Sequence, residues 1–122
     1  MSESNIALLT DVVLITCVVE KGKGDDVVKA ARGASAAGAL IHPARGVGIR
    51  ERMGLLGIAV EAEKDIVELL VGSEQSEILA HAIYNAVDLG RPGGGYVYLS
   101  PLEAAATYVP KGIRKRLREQ NP

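Results

Sequence analysis

Residues 12–19 read Val-Val-Leu-Ile-Thr-Cys-Val-Val, a short run in which Thr16 alone interrupts the apolar side chains. Its length and its β-branched content predict a strand that is apolar on both faces. Lys21-Gly-Lys-Gly24 ends the run, and Asp25 or Asp26 offers the acceptor and negative charge that suit a helix start. The pattern then becomes helical, with Val27, Val28, Ala30 and Ala31 inward, until the small residues at 33–38 close the helix. A second, short strand is expected at 39–42. Residues 45–54, Arg-Gly-Val-Gly-Ile-Arg-Glu-Arg-Met-Gly, follow neither period and predict a long loop. Residues 58–71 predict one long strand, or a pair bent near Glu63 and Lys64. Ser73 is the expected N-cap of a second helix, in which Ile78, Leu79, Ala82, Ile83, Ala86 and Val87 recur at helical spacing, with Gly90 as the stop. Residues 90–95 predict a tight glycine loop and 96–99 a last core strand.

The order β-α-β, β-α-β predicts an α+β domain of the ferredoxin-like, split βαβ kind: an antiparallel sheet with two helices on one face. The whole chain, 1–122, reads as one domain, with N-terminal (1–11) and C-terminal (100–122) extensions. Two helices cover one face of a sheet, yet residues 12–19 and 66–71 are apolar at nearly every position. A homo-oligomer that buries the second face follows.

Composition refines this picture. Apolar residues make up 48% of 122, but there is no Phe and no Trp, so Val, Ile, Leu and Ala must do the packing. A net charge of −1 supplies no field that would draw nucleic acid or an anionic membrane. The one cysteine, Cys17, has no intramolecular disulfide partner and suits a reducing compartment. Residues 1–11 have no signal-peptide character and the longest apolar run is too short to span a bilayer, so a cytoplasmic protein is expected.

Several motifs now stand in a fixed order: Lys21-Gly-Lys-Gly-Asp-Asp-Val27, Gly38 before a short strand, Ala44-Arg-Gly-Val-Gly48, Leu56-Gly-Ile-Ala-Val-Glu-Ala-Glu-Lys64, and Gly90-Arg-Pro-Gly-Gly-Gly95 running into a strand. Together they resemble the PII-like proteins, relatives of the nitrogen-regulatory PII signal proteins. The resemblance implies a regulator that is a homotrimer of ferredoxin-like subunits, with adenine nucleotide (AMP, ADP or ATP) in the clefts between them and no catalytic cofactor. On this chain the implied nucleotide contacts are Gly38, Leu40, Arg45, Gly46, Val47, Gly48, Lys64, Leu70, Gly90, Arg91, Pro92, Gly93, Gly94, Gly95 and Tyr96. A T-loop-like segment at 44–56 would carry the signal through Ile49, Arg50, Glu51 and Arg52 to a protein partner, a membrane transporter or an enzyme. Lys64 falls where PII proteins hold a lysine that reaches an acidic small-molecule effector.

Two features depart from the PII pattern. None of the four tyrosines lies in the loop, so control by nucleotidylation of a loop tyrosine has no substrate there. The stretch Ser100-Pro-Leu-Glu-Ala-Ala-Ala-Thr-Tyr108 has none of the arginines that grip terminal phosphates in the nitrogen regulators. A less charged ligand, or a ligand-free trimeric module, is therefore an alternative.

Read from the residues alone, residues 90–95 suit an anion, because glycines let backbone N–H groups converge and Arg91 adds charge. The competing reading is a helix end running into a turn, which needs fewer glycines than three in succession. No Lys-Ser/Thr follows, so the loop is not a Walker motif, and a small phosphate-hydrolysing enzyme lacks a visible catalytic constellation. His42 reads as strand packing, His81 as helix surface and Cys17 as an inert buried thiol, with no spacing that suits a metal. The basic segment Lys111-Gly-Ile-Arg-Lys-Arg-Leu-Arg118 reads as a surface helix, too weakly patterned for nucleic acid.

Overall fold

The computed structural model describes residues 6–32, 38–47 and 61–108. The run at residue 12 forms β2 (Val12–Glu20), preceded by β1 (Ile6–Leu9). Then come α1 (Gly24–Ala31), β3 (Ala39–Val47), β4 (Glu61–Gly72), α2 (Ser73–Ala86), β5 (Gly95–Leu102) and β6 (Ala105–Tyr108). Four strands make an antiparallel sheet in the order β3-β4-β2-β5, with both helices against one face. This is the α+β, ferredoxin-like arrangement expected from the sequence, with β2 and β4 in the centre because they carry the longest apolar runs.

Alternation along the central strands divides the side chains into two sets. Val13, Ile15, Cys17 and Val19 of β2, with Val67, Leu69 and Val71 of β4, point at the helices and are buried. They meet Val27 and Ala31 of α1, and Leu79, Ile83 and Val87 from α2 and its end. Burial among aliphatic neighbours pushes the Cys17 thiol up to about 12, so it stays protonated and unreactive, as the sequence suggested.

The other face is open. Leu14, Val18, Ile66 and Leu70 lie half-buried there, flanked by Leu40, Tyr96 and Tyr98, which are 67%, 59% and 47% exposed. Tyr96 and Tyr98 stack with ring centroids 6.2 Å apart. His42, expected as strand packing, is instead exposed on this face, with Nε2 3.1 Å from Oε1 of Glu68.

Several boundaries differ from the sequence reading, each for a physical reason. The acidic residues do not cap α1: its N-cap is Lys23, with no side-chain cap bond, and Asp25 and Asp26 stand in the first turn, where they suit the helix dipole. β3 runs to Val47, so Arg45, Gly46 and Val47 belong to a strand and not to a loop. Their ladder to Glu63, Ala62 and Glu61 overrides the glycine signal, and Pro43 is tolerated because β3 is an edge strand. The rest of the expected loop, 48–54, and the start of the expected long strand, 58–60, lie outside the described residues.

Ser73 is the first residue of α2 and does not cap it. Its N–H and hydroxyl both donate to the Asp11 carbonyl at 2.8 Å, tying α2 to the β1–β2 corner. The buried stripe of α2 is Ser76, Leu79 and Ile83; Ile78 is 75% exposed, and Ala82 and Ala86 face solvent. The helix ends before Gly90. Asp88 takes the left-handed conformation (φ 52°), and the Leu89 N–H reaches back to the Tyr84 carbonyl at 3.1 Å, which completes a Schellman-type stop without glycine. Finally, the two expected extensions pair with each other: β1 and β6 form a separate two-stranded sheet, with Leu9 opposite Ala105.

Candidate functional site

Three segments meet at one end of the four-stranded sheet. The first is the turn at 20–24 between β2 and α1. The second is the end of the β3–β4 ladder, where Ala44 faces Lys64 and Arg45 faces Glu63. The third is the glycine loop, 90–95, which enters β5 opposite Val19.

Side chains tie these segments together. Asp65 Oδ2 accepts from the N–H groups of Gly22 and Gly24 at 2.9 and 3.1 Å, which pins the turn to β4. Lys21 Nζ donates to Glu63 Oε2 at 2.6 Å. That hydrogen bond holds the Lys21 ammonium above its usual value, although the pair is exposed. On the other side of the turn, Glu20 pairs with Arg91 Nη2, and Asp88 Oδ2 lies 3.6 Å from Arg91 Nε. Sequence reasoning did not name Glu20, Asp65 or Asp88, and Lys21 entered only as the first residue of a motif. Glu20 and Asp65 sit on the central strands and Lys21 and Asp88 in turns, so the fold, and no local pattern, brings the four to this end of the sheet.

Between the turn and the β3–β4 ladder lies a cavity of about 260 Å³, lined by Lys21, Pro43, Ala44, Arg45, Glu63, Lys64 and Asp65. Both acids in it are engaged, Glu63 by Lys21 and Asp65 by two backbone N–H groups. Lys64 is half-buried and, among the described residues, has no ion-pair partner. The cavity thus offers a cation to a small anion. At this volume it falls below the roughly 300 Å³ where pockets for drug-sized ligands begin, so within one chain there is room for a small anion and not for a whole nucleotide.

The glycine loop has a different rationale from the one its sequence suggests. Gly93 takes φ 78° and Gly95 φ 109°. A Cβ on Gly94 would lie 2.8 Å from the Asp88 carbonyl oxygen, and one on Gly95 would overlap the Val18 carbonyl. Each of the three glycines therefore has a backbone reason, and the triple run does not by itself require an anion. Nor is Arg91 a loose charge, since two carboxylates hold it.

The remaining nucleotide candidates are spread along the sheet. Gly38 precedes β3, and Leu40 and Leu70 lie on the open face opposite Glu68 and Leu14. Leu40 stands four residues from Ala44, roughly 13 Å along the strand. Tyr96 is on the same open face, opposite Val18. Gly46 and Val47 continue the ladder beyond Arg45, and Pro92 is exposed on the glycine loop beside Gly90. Gly48 and the four expected partner contacts, Ile49, Arg50, Glu51 and Arg52, lie outside the described residues, as does the basic segment at 111–118. Among the described residues no three metal-binding side chains gather, and no helix is long and apolar enough to cross a membrane.

No family model and no curated protein matches the chain. Among solved structures it is similar to the PII protein of Arabidopsis thaliana bound to citrate. The TM-score is 0.57 at 19% identity, over 77% of this chain and 79% of that one. The fold is thus of the PII type.

Proposed function

We propose that this protein is a PII-like regulator, a homotrimer that binds an adenine nucleotide between subunits and signals through the segment after β3 to a transporter or enzyme. One observation carries the reading: the turn at 20–24, the end of the β3–β4 ladder and the glycine loop converge on one end of the sheet, beside a cavity whose Lys64 has no ion-pair partner among the described residues. A ligand touching that end is coupled through β3 and β4 to the segment between them, which can then differ between liganded and free states. The PII neighbour's bound citrate supports a small anion as a ligand for this fold. The limited cavity in one chain, and residues such as Leu40 and Leu70 on the open face, favour a site completed by a second subunit. A cytoplasmic location, with recruitment to a membrane transporter, belongs to the same proposal.

A second reading is a trimeric interaction module without nucleotide. The backbone reasons for Gly93, Gly94 and Gly95, and the acidic partners of Arg91, favour it. Calorimetry of the full chain against AMP, ADP, ATP and cyclic AMP separates the two. The regulatory reading predicts saturable binding of at least one of them with about one site per subunit. Silence from all four, in a protein that is folded and trimeric, leaves the module.

A further inference from the structure

Glu20 is the last residue of β2, one position beyond the pairing of Val19 with Gly95, and Arg91 is the one cation between residues 88 and 95. The guanidinium is therefore fixed between two carboxylates, Glu20 through Nη2 and Asp88 through Nε. Both contacts are partly exposed, so they contribute little to folding. Their larger consequence is electrostatic. Glu20, Asp88 and Arg91 together carry net negative charge beside the glycine loop, with Lys64 opposite Glu20 in the β2–β4 ladder. The chain downstream of β5, through Tyr108, adds Glu103 and no basic residue.

We infer that Glu20 and Asp88 are specificity-determining residues, which screen Arg91 and make the glycine-loop site select ligands of low phosphate charge, AMP over ATP. This rests on the nucleotide reading above and deepens it. A phosphate reaching the loop must compete with Glu20 for the guanidinium, and each further phosphate adds repulsion from both carboxylates. Glu20 acts through Arg91 and need not touch the ligand, so it is a positioning residue whose effect shows in the ratio of two affinities.

The test is calorimetry of the full-length wild type, Glu20→Gln, Asp88→Asn and the double variant Glu20→Gln with Arg91→Gln, each titrated with AMP and with ATP. Melting curves without ligand check that each variant is folded; Asn tolerates the left-handed conformation of residue 88. Wild type is expected to bind AMP more tightly than ATP. Either single neutralisation is expected to move the ATP-to-AMP affinity ratio about two- to fivefold toward ATP, the range an exposed charge pair supports. Raising the salt concentration should shrink the shift, and the double variant should not show it. Nucleotide binding with a ratio unchanged by both neutralisations overturns the inference and leaves the nucleotide reading standing. A wild type that prefers ATP overturns it as well. ATP binding that appears only in the neutralised variants supports the screen. Silence of all four proteins overturns both the inference and the nucleotide reading.

Discussion

Gly95→Ala is expected to destabilise the domain by about 3 kcal/mol or more and to leave little folded protein at 37 °C. Two independent penalties add at this position. The backbone sits at φ 109°, where an L side chain is strained. The new Cβ would also overlap the carbonyl of Val18 on β2, a central strand that has no room to retreat because β4 pairs with its other edge. Overpacking alone costs about 1–3 kcal/mol. Gly46→Ala is the control: its Cβ meets nothing nearer than Lys64 Cγ at 3.9 Å, and its backbone carries no left-handed strain. Urea unfolding followed by circular dichroism measures both. Comparable stability of the two variants would show that the glycine loop does not pack as described.

Under the proposed trimeric assembly, Ile66→Asp is expected to convert the trimer into a monomer with its secondary structure intact. Ile66 lies at the middle of the open face, between His42 on β3 and Val18 on β2. In a lone subunit that face meets water, and an aspartate there is tolerated. Against another subunit it would be a buried charge without a partner, which costs several kcal/mol for each copy. Light scattering coupled to size exclusion reads the mass directly, against a subunit of 12.8 kDa. A variant that keeps the wild-type mass places the oligomer contact elsewhere.

How much of this was legible in the sequence depends on which interactions decide each element. The core strands and the split βαβ order could be read because residues 12–19 and 66–71 are apolar at nearly every position, and period 2 or 3.6 is a local property. The ends were harder. Arg45 to Val47 looked like loop because two glycines flank Val47, but a ladder to β4 decided the matter, and ladders are non-local. Pairing of β1 with β6 joins residues about a hundred positions apart in the chain, a relation no window can show. Gly90 was read as the helix stop, yet Asp88 supplies the left-handed residue, as Asx side chains sometimes do.

The site was half legible. Arg45, Lys64 and Arg91 were named from motif order and do lie at one end of the sheet. The residues that control them were not. Asp65 looked like one more charged residue in a polar stretch, and its function as acceptor for Gly22 and Gly24 exists only once β2 and β4 are in register. The triple glycine was legible as a signal, but its cause was backbone crowding against Val18 and Asp88, which a sequence does not display.

In the proposed function the converging end of the sheet, and not another surface, receives the nucleotide. Amide chemical-shift mapping of isotope-labelled full-length protein during titration with AMP tests it most directly. Saturable shifts are expected at Gly22, Gly24, Lys64, Arg91 and residues 93–95, with the β1–β6 sheet unmoved. Shifts confined to the outer side of α2 around Ile78, or no shifts at millimolar AMP, ADP and ATP, would contradict it.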